Sequence, residues 1–134
     1  MSRAFTKEDD NASFEAPASS WMRVSEPFHL TEAGAARLRA SSDERLREAL
    51  ALAEIVPAIT APTRAALGVT VRVRDEDEHP HEYRLVSATE RALLGEGCSV
   101  EGPIGRALLG AEVGDVREVK LPRGLTELEV LALS

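Results

Sequence analysis

Hydrophobic and polar positions alternate with a period of two in the second half of the chain. Between residues 69 and 74, valines alternate with polar residues, which predicts a strand with one buried face. Tyr83, Leu85 and Ser87 alternate in the same way after an acidic segment. The two runs predict a β-hairpin with a loop of about five residues.

Shorter signals continue to the end of the chain. A helical turn is expected after Ala88, a short strand at residues 98–100, and a short helix beginning at Pro103 and ending at Gly110. Two further strands are predicted at residues 116–121 and 125–133. In the last one we expect one face to carry Leu128, Val130 and Ala132. The pattern in residues 68–134 therefore predicts an α+β unit in which an antiparallel or mixed sheet surrounds one short helix.

In residues 29–67 the hydrophobic positions have the spacing of helices instead. Thr31 is the expected N-cap of a first helix, and Asp43 with Glu44 fits the start of a second. Pro57 is expected to end the second helix near Val56. The pattern predicts a short antiparallel helical hairpin with helices of about 10 and 13 residues.

The hydrophobic positions in residues 1–28 follow neither the strand period nor the helical period. They combine Ser, Ala, Glu and Pro with four aromatic residues, which are Phe5, Phe14, Trp21 and Phe28. We expect an extended or partly disordered N-terminal arm. Docking of its aromatic side chains elsewhere on the protein is left open by the sequence.

Composition narrows the class of protein. The chain has 134 residues, with 16 Lys and Arg against 23 Asp and Glu, and a formal net charge of −7. This acidity argues against non-specific binding to nucleic acid or an anionic membrane. The sequence shows no secretory signal and no run of apolar residues long enough for a membrane span, and it has one cysteine. We expect a cytoplasmic protein.

Few residues suggest chemistry. His79 and His81 lie in an acidic turn that could chelate a divalent metal, but a solvated hairpin tip is the favoured interpretation. Cys98 lies in an apolar run and is expected to be a buried structural thiol rather than a nucleophile. Because the common catalytic and phosphate-binding motifs are absent, we predict no enzyme and no cofactor.

The most specific stretch is E-G-P-I-G-R-A-L-L-G-A-E-V-G-D-V, at residues 101–116. With the hairpin at 69–87, it resembles the C-terminal domain of the GreA/GreB transcription elongation factors. That family carries S-P-[IM]-[AG]-[KR]-A-L-[LI]-G followed by G-D-V. The L-T-E-A-G-A-A-R-L at residues 30–38 is similar to the start of the family's coiled coil. The resemblance implies an FKBP-like fold for residues 68–134.

It also implies a partner, RNA polymerase, bound at the rim of its secondary channel on the largest subunit. Neither sequence-specific DNA binding nor membrane binding is implied. The loop before the short helix makes this contact in the family, so the resemblance assigns it to five residues. These are Glu101, Gly102, Pro103, Ile104 and Arg106. Gly102 stands where the family has Ser, so one hydroxyl contact is missing.

The family's cleavage activity resides in a long N-terminal coiled coil, whose acidic tip helps hold Mg²⁺ in the polymerase active site. Here the tip is Ser42, Asp43 and Glu44. Two helices of this length extend only roughly 15–20 Å, which is too short for that role. Helix capping is the favoured role of Asp43 and Glu44. The combination resembles short-hairpin members of the family known as regulators of nucleoside diphosphate kinase.

Two alternatives remain open. FKBP-type prolyl isomerases carry a similar A-L-x-G-x-x-V-G-D run, but they bind proline in a pocket of several aromatic rings. Residues 68–134 contain one aromatic residue, Tyr83. The second alternative is residual transcript cleavage through Asp43 and Glu44. Because residues 29–67 are neutral and residues 68–134 hold most of the net negative charge, we expect the C-terminal domain to be the protein-docking part.

Overall fold

A computed structural model describes residues 24–134 of the protein. Most of the predicted N-terminal arm therefore lies outside the described residues. In chain order the elements are β1 (Phe28–Thr31), α1 (Glu32–Ala40), α2 (Glu44–Leu50), β2 (Ala53–Val56), β3 (Thr70–Arg74), β4 (Pro80–Val86), α3 (Ala88–Leu94), β5 (Cys98–Ser99), α4 (Pro103–Leu108), β6 (Val116–Leu121) and β7 (Gly124–Leu133).

The C-terminal part is built on a five-stranded sheet in the order β5-β4-β3-β7-β6. Only β4 and β5 pair in parallel within it, and the other neighbours are antiparallel. The loop between β3 and β4 covers residues 75–79, so the predicted hairpin is confirmed. The α+β class with a mainly antiparallel sheet is also confirmed.

One face of this sheet packs against α4 and forms the larger core. Val71 and Val73 are fully buried there, and Ile104 and Leu108 of α4 cover them. Cys98 is buried in the same cluster, so the predicted structural thiol is confirmed. Helix α3 spans seven residues where the sequence indicated only a helical turn, so this part contains two helices rather than one.

A β-bulge changes the inward face of β7. Arg72 pairs with Ala132, but the next residue, Val73, pairs with Val130, so Leu131 is the extra residue. Val130 is buried as predicted, whereas Ala132 is exposed and Leu133 packs against the core. The prediction for Ala132 was wrong because strict alternation assumes a strand without a bulge.

The N-terminal part differs from the predicted hairpin. Helix α1 has nine residues and α2 has seven, and β2 follows α2 where the sequence predicted further helix. The expected end of the helix near Val56 was wrong. Because Ile55 and Val56 are β-branched, extended backbone suits them, and here they pair in parallel with Leu30 and Thr31.

A second core joins this N-terminal part to the C-terminal part. Leu30 and Leu38 are fully buried, and Leu93 of α3 belongs to the same cluster. Phe28, which we placed at the end of the arm, is the first residue of β1 and is buried in this cluster as well. The longest helix in residues 24–134 has nine residues, and none could cross a membrane.

Candidate functional site

The turn that leads into α4 is organised by Ser99. Its hydroxyl oxygen accepts a hydrogen bond from the N–H of Glu101 at 3.1 Å, and its carbonyl oxygen accepts from the N–H of Gly102 at 3.0 Å. Pro103 follows as the first helical residue, where a missing N–H costs nothing. The turn therefore places the start of α4 firmly against β5.

The five residues that the resemblance assigns to partner binding differ in their exposure to solvent. Glu101, Pro103 and Arg106 are exposed at the start of α4. Gly102 and Ile104 are buried. The exposed three can contact a partner directly, whereas Ile104 belongs to the core that supports them.

A groove of about 830 Å³ has Ile104 of α4 in its lining. Ile104, Leu121 and Leu128 contribute apolar surface to it, and the exposed side chain of Leu125 lies at its margin. The β3–β4 hairpin lines the other side with four carboxylates, which are those of Asp75, Glu76, Asp77 and Glu82. Such a surface suits an amphipathic protein segment that carries basic residues.

Asp75 holds the β3–β4 loop in shape. Its Oδ1 atom accepts hydrogen bonds from the N–H groups of Asp77 at 2.8 Å and His79 at 2.9 Å. Its Oδ2 atom lies 2.9 Å from Nε2 of His81, and the His81 ring stacks on Tyr83 with centroids 6.1 Å apart. The acidic loop is therefore an ordered wall of the groove.

We expect the Asp75 carboxyl to titrate at unusually low pH. The hydrogen bond from His81 and those from the His79 and Asp77 N–H groups lower the pKa of Asp75 to about 2. Since the folded pKa lies below the unfolded one, this group stabilises the fold above about pH 4, and the stabilisation is lost as the pH falls toward 2. A carbon-13 NMR titration of the Asp75 carboxyl checks this. A midpoint at the ordinary value would contradict the assigned role.

The same loop contains three potential metal donors. One ligand atom each from Asp75, Asp77 and His79 lie within 4.8 Å of one another. However, both Asp75 oxygens already have partners within the hairpin. These contacts support the interpretation from the sequence, which is a solvated hairpin tip.

At the other candidate site, the helical tip, Asp43 acts as a cap. Its carboxylate accepts from the N–H of Arg45 at 3.0 Å and from Nη2 of Arg45 at 2.7 Å. The favoured prediction of an N-cap at Asp43 is therefore confirmed. Ser42 and Glu44 are exposed beside it. Helices of nine and seven residues span only roughly 10–14 Å.

Two groups of residues were missed as functional candidates. The sequence predicts a solvated tip for the acidic turn, and the folded sheet shows that this exposed tip also lines a groove together with Arg123 and Leu125. Glu90, which is fully buried, was also missed. A signal was present there, because Ser87 and Glu90 have the spacing of a capping box.

The fold and the groove define an α+β domain with a surface suited to protein docking. The family model described as "Transcription elongation factor, GreA/GreB, C-term" matches residues 60–134. The chain therefore belongs to the GreA/GreB family, and the predicted membership is confirmed.

The chain is similar to several individual proteins. Transcription elongation factor GreA of Thermoanaerobacter pseudethanolicus is 39% identical over 71 residues, which cover 52% of this chain and 45% of the relative. GreA of Maricaulis maris is 35% identical over 94 residues, 68% of this chain and 59% of the relative. A GreA/GreB structure from Nitrosomonas europaea is 28% identical with a TM-score of 0.47, covering 82% of this chain and 99% of that one. The chain spans about half the length of the first of these relatives.

Proposed function

We propose that this protein regulates transcription by binding RNA polymerase through its C-terminal domain, without stimulating RNA cleavage. The proposed contact is the rim of the secondary channel on the largest subunit. This function belongs to the cytoplasm, where the polymerase acts. The closer resemblance to regulators of nucleoside diphosphate kinase stays a prediction.

The observation that carries this proposal is the surface at the start of α4. Glu101, Pro103 and Arg106 are exposed there. Ile104 of the same stretch lines a groove with apolar and acidic sides. The resemblance assigns the polymerase contact to the same stretch. Gly102 is buried in the position of the family's Ser, so the groove lined by Ile104 is expected to supply part of the affinity.

The N-terminal part supports the absence of cleavage stimulation. A tip carboxylate aids a metal-dependent reaction only within coordination distance of the metal. Here the Asp43 carboxylate is bound by Arg45, and the two helices are short. Leu38 of α1 is also buried in the cluster that includes Leu93, so α1 packs on the C-terminal part instead of projecting as a free probe.

The test is binding to purified core RNA polymerase, measured by native gel shift. We expect micromolar or tighter binding, and about a tenfold loss in Glu101→Lys because a rim charge is reversed. Pro103→Ala should weaken binding by a smaller factor. Glu118→Lys is the matched control, since it makes the same charge change at an exposed position on β6, and it should bind like the wild type. Absence of binding by the wild type, or unchanged binding by Glu101→Lys, would contradict the proposal.

The same complexes distinguish the alternatives. In backtracked complexes we expect RNA cleavage at the background rate, and a stimulation that Asp43→Ala and Glu44→Ala abolish would instead support residual cleavage activity. Prolyl isomerase activity is not favoured by the groove. Among the described residues that line it, Tyr83 is the one benzenoid ring, with the His79 and His81 imidazoles beside it.

A further inference from the structure

A buried carboxylate lies at the junction of the N-terminal and C-terminal parts. Glu90 of α3 is fully buried, and both of its oxygens are used by Thr31. Oε1 accepts from the Thr31 N–H at 2.8 Å, and Oε2 accepts from the Thr31 hydroxyl at 2.7 Å. Nη2 of Arg84 lies 3.6 Å from Oε2. Burying a carboxylate is unfavourable unless such partners are in place, so this arrangement of the junction is the one that satisfies Glu90.

The Thr31 hydroxyl has two functions at once. Its oxygen accepts from the N–H of Gly34 at 3.0 Å and thereby caps α1, while its hydrogen is donated to Glu90. If the N-terminal part moved away, both the cap geometry and the buried carboxylate would be disturbed together. Thr31 therefore couples the position of the N-terminal part to the capping of α1.

Ser87, the N-cap of α3, mirrors this arrangement. Its hydroxyl oxygen accepts from the N–H of Glu90 at 3.1 Å, and the hydroxyl donates to the carbonyl oxygen of His29 at 2.7 Å. Each part of the protein thus contributes a helix cap that also bonds to the other part.

The space around these bonds is filled. A Cβ atom on Gly34 would lie only 2.8 Å from Cδ of Glu90 and 2.8 Å from Cδ1 of Leu30, so α1 approaches α3 as closely as glycine allows. An ion pair between Arg37 and Glu96 also crosses the junction. Polar and apolar contacts therefore favour the same orientation of the N-terminal part on the C-terminal part.

We propose that Thr31, Ser87 and Glu90 form a latch that holds the N-terminal helical part in one orientation on the C-terminal domain. The latch makes α1 and α2 a fixed extension of the domain, so the tip at Ser42–Glu44 stays at a constant position relative to Glu101 and Pro103. This inference concerns the free protein, and it stands or falls independently of polymerase binding.

The test uses pulsed electron–electron resonance between spin labels at Ser42→Cys and Lys120→Cys, in a Cys98→Ala background. Both labelled positions are exposed, one at the tip and one on β6. We expect a single narrow distance distribution in the wild-type background. Thr31→Val and Glu90→Gln should broaden it at least twofold, and Thr31→Ser, which keeps the hydroxyl, should restore the narrow distribution. Thr60→Val is the matched control, because it makes the same substitution as Thr31→Val at an exposed threonine that is not part of the latch.

Hydrogen exchange of the unlabelled wild type gives a reading that no folding defect of a variant can affect. We expect α1 amides to be protected within about tenfold of those of α3, since the two helices should open together. A wild-type distance distribution that is already broad would overturn the proposal. So would narrow distributions in both folded latch variants, a Thr31→Ser protein as broad as Thr31→Val, or exchange in α1 more than a hundredfold faster than in α3.

Discussion

The Gly105→Ala variant is expected to lose about 3 kcal/mol of unfolding free energy, a large overpacking effect. The family pattern accepts Ala or Gly at this position, but in this chain α4 lies too close to the preceding turn for a Cβ atom. A Cβ at this position would lie 2.7 Å from the carbonyl carbon of Ser99 and 2.8 Å from Cα of Val100, well inside van der Waals contact. These are backbone atoms, so no side-chain rotation can relieve the clash. For a chain of this length the melting temperature should fall by roughly 10 °C.

The backbone that would have to move is held on several sides. The Val100 N–H donates to the carbonyl oxygen of Val86 at 2.9 Å, and Ser99 accepts from the N–H groups of Glu101 and Gly102. Moving α4 away would instead separate Ile104 and Leu108 from the core. The extra methyl group therefore costs either hydrogen bonds or apolar contacts.

Gly110→Ala is the matched control for this prediction. Gly110 has φ of 84°, and no atom lies within 4 Å of a Cβ built there, so the substitution introduces backbone strain without a clash. We expect a loss of about 1–2 kcal/mol. Thermal and urea denaturation followed by circular dichroism measure both variants. A Gly105→Ala protein that is no less stable than Gly110→Ala would show that α4 can move away from β5.

The C-terminal sheet could be predicted from sequence because its signals are local. Val71 and Val73 alternate with arginines, and the acidic loop has the turn-forming length found in the structure. The failure at Ala132 has a physical cause, since a bulge is a property of two paired strands and leaves no trace in one strand alone.

The N-terminal part was harder to predict because local propensity and tertiary pairing disagree. Leu46, Leu50 and Ala53 have helical spacing, which favoured a longer second helix. The chain instead leaves the helix after Leu50, because β1 pairs along one edge with all four residues of Ala53–Val56. Parallel pairing between strands far apart in sequence is decided by packing, which a single-sequence pattern does not contain.

In the candidate site too, features set by local sequence could be predicted, whereas features set by tertiary packing could not. The helix start at Pro103 and the cap at Asp43 follow from local rules and were predicted correctly. The groove is formed by hairpins from different parts of the sheet, and the latch joins residues 59 positions apart. Local reasoning therefore finds the elements of a docking surface but not the cavity between them.

The Leu38→Ala variant should lower the stability of both the N-terminal and the C-terminal part, although Leu38 lies in α1 of the N-terminal part. Leu38 is fully buried and shares a cluster with Leu93 of α3. Truncating a fully buried leucine costs about 3 kcal/mol, through lost apolar burial and the cavity that remains. If the N-terminal and C-terminal parts unfold together, the loss should shift one common transition. The expected result is the same denaturation midpoint for amide signals of α1 and β7, both lowered relative to the wild type.

Leu109→Ala provides the control for Leu38→Ala, because the side chain of Leu109 is 46% exposed and should contribute less than about 1 kcal/mol. NMR peak intensities during urea denaturation report α1 and β7 separately, so one experiment measures both the stability loss and the coupling. Loss of the α1 signals at low urea, with the β7 midpoint unchanged, would show two independent units. Coincident transitions in all three proteins would mean that the short hairpin is structurally part of the C-terminal domain, because a free probe could unfold without it.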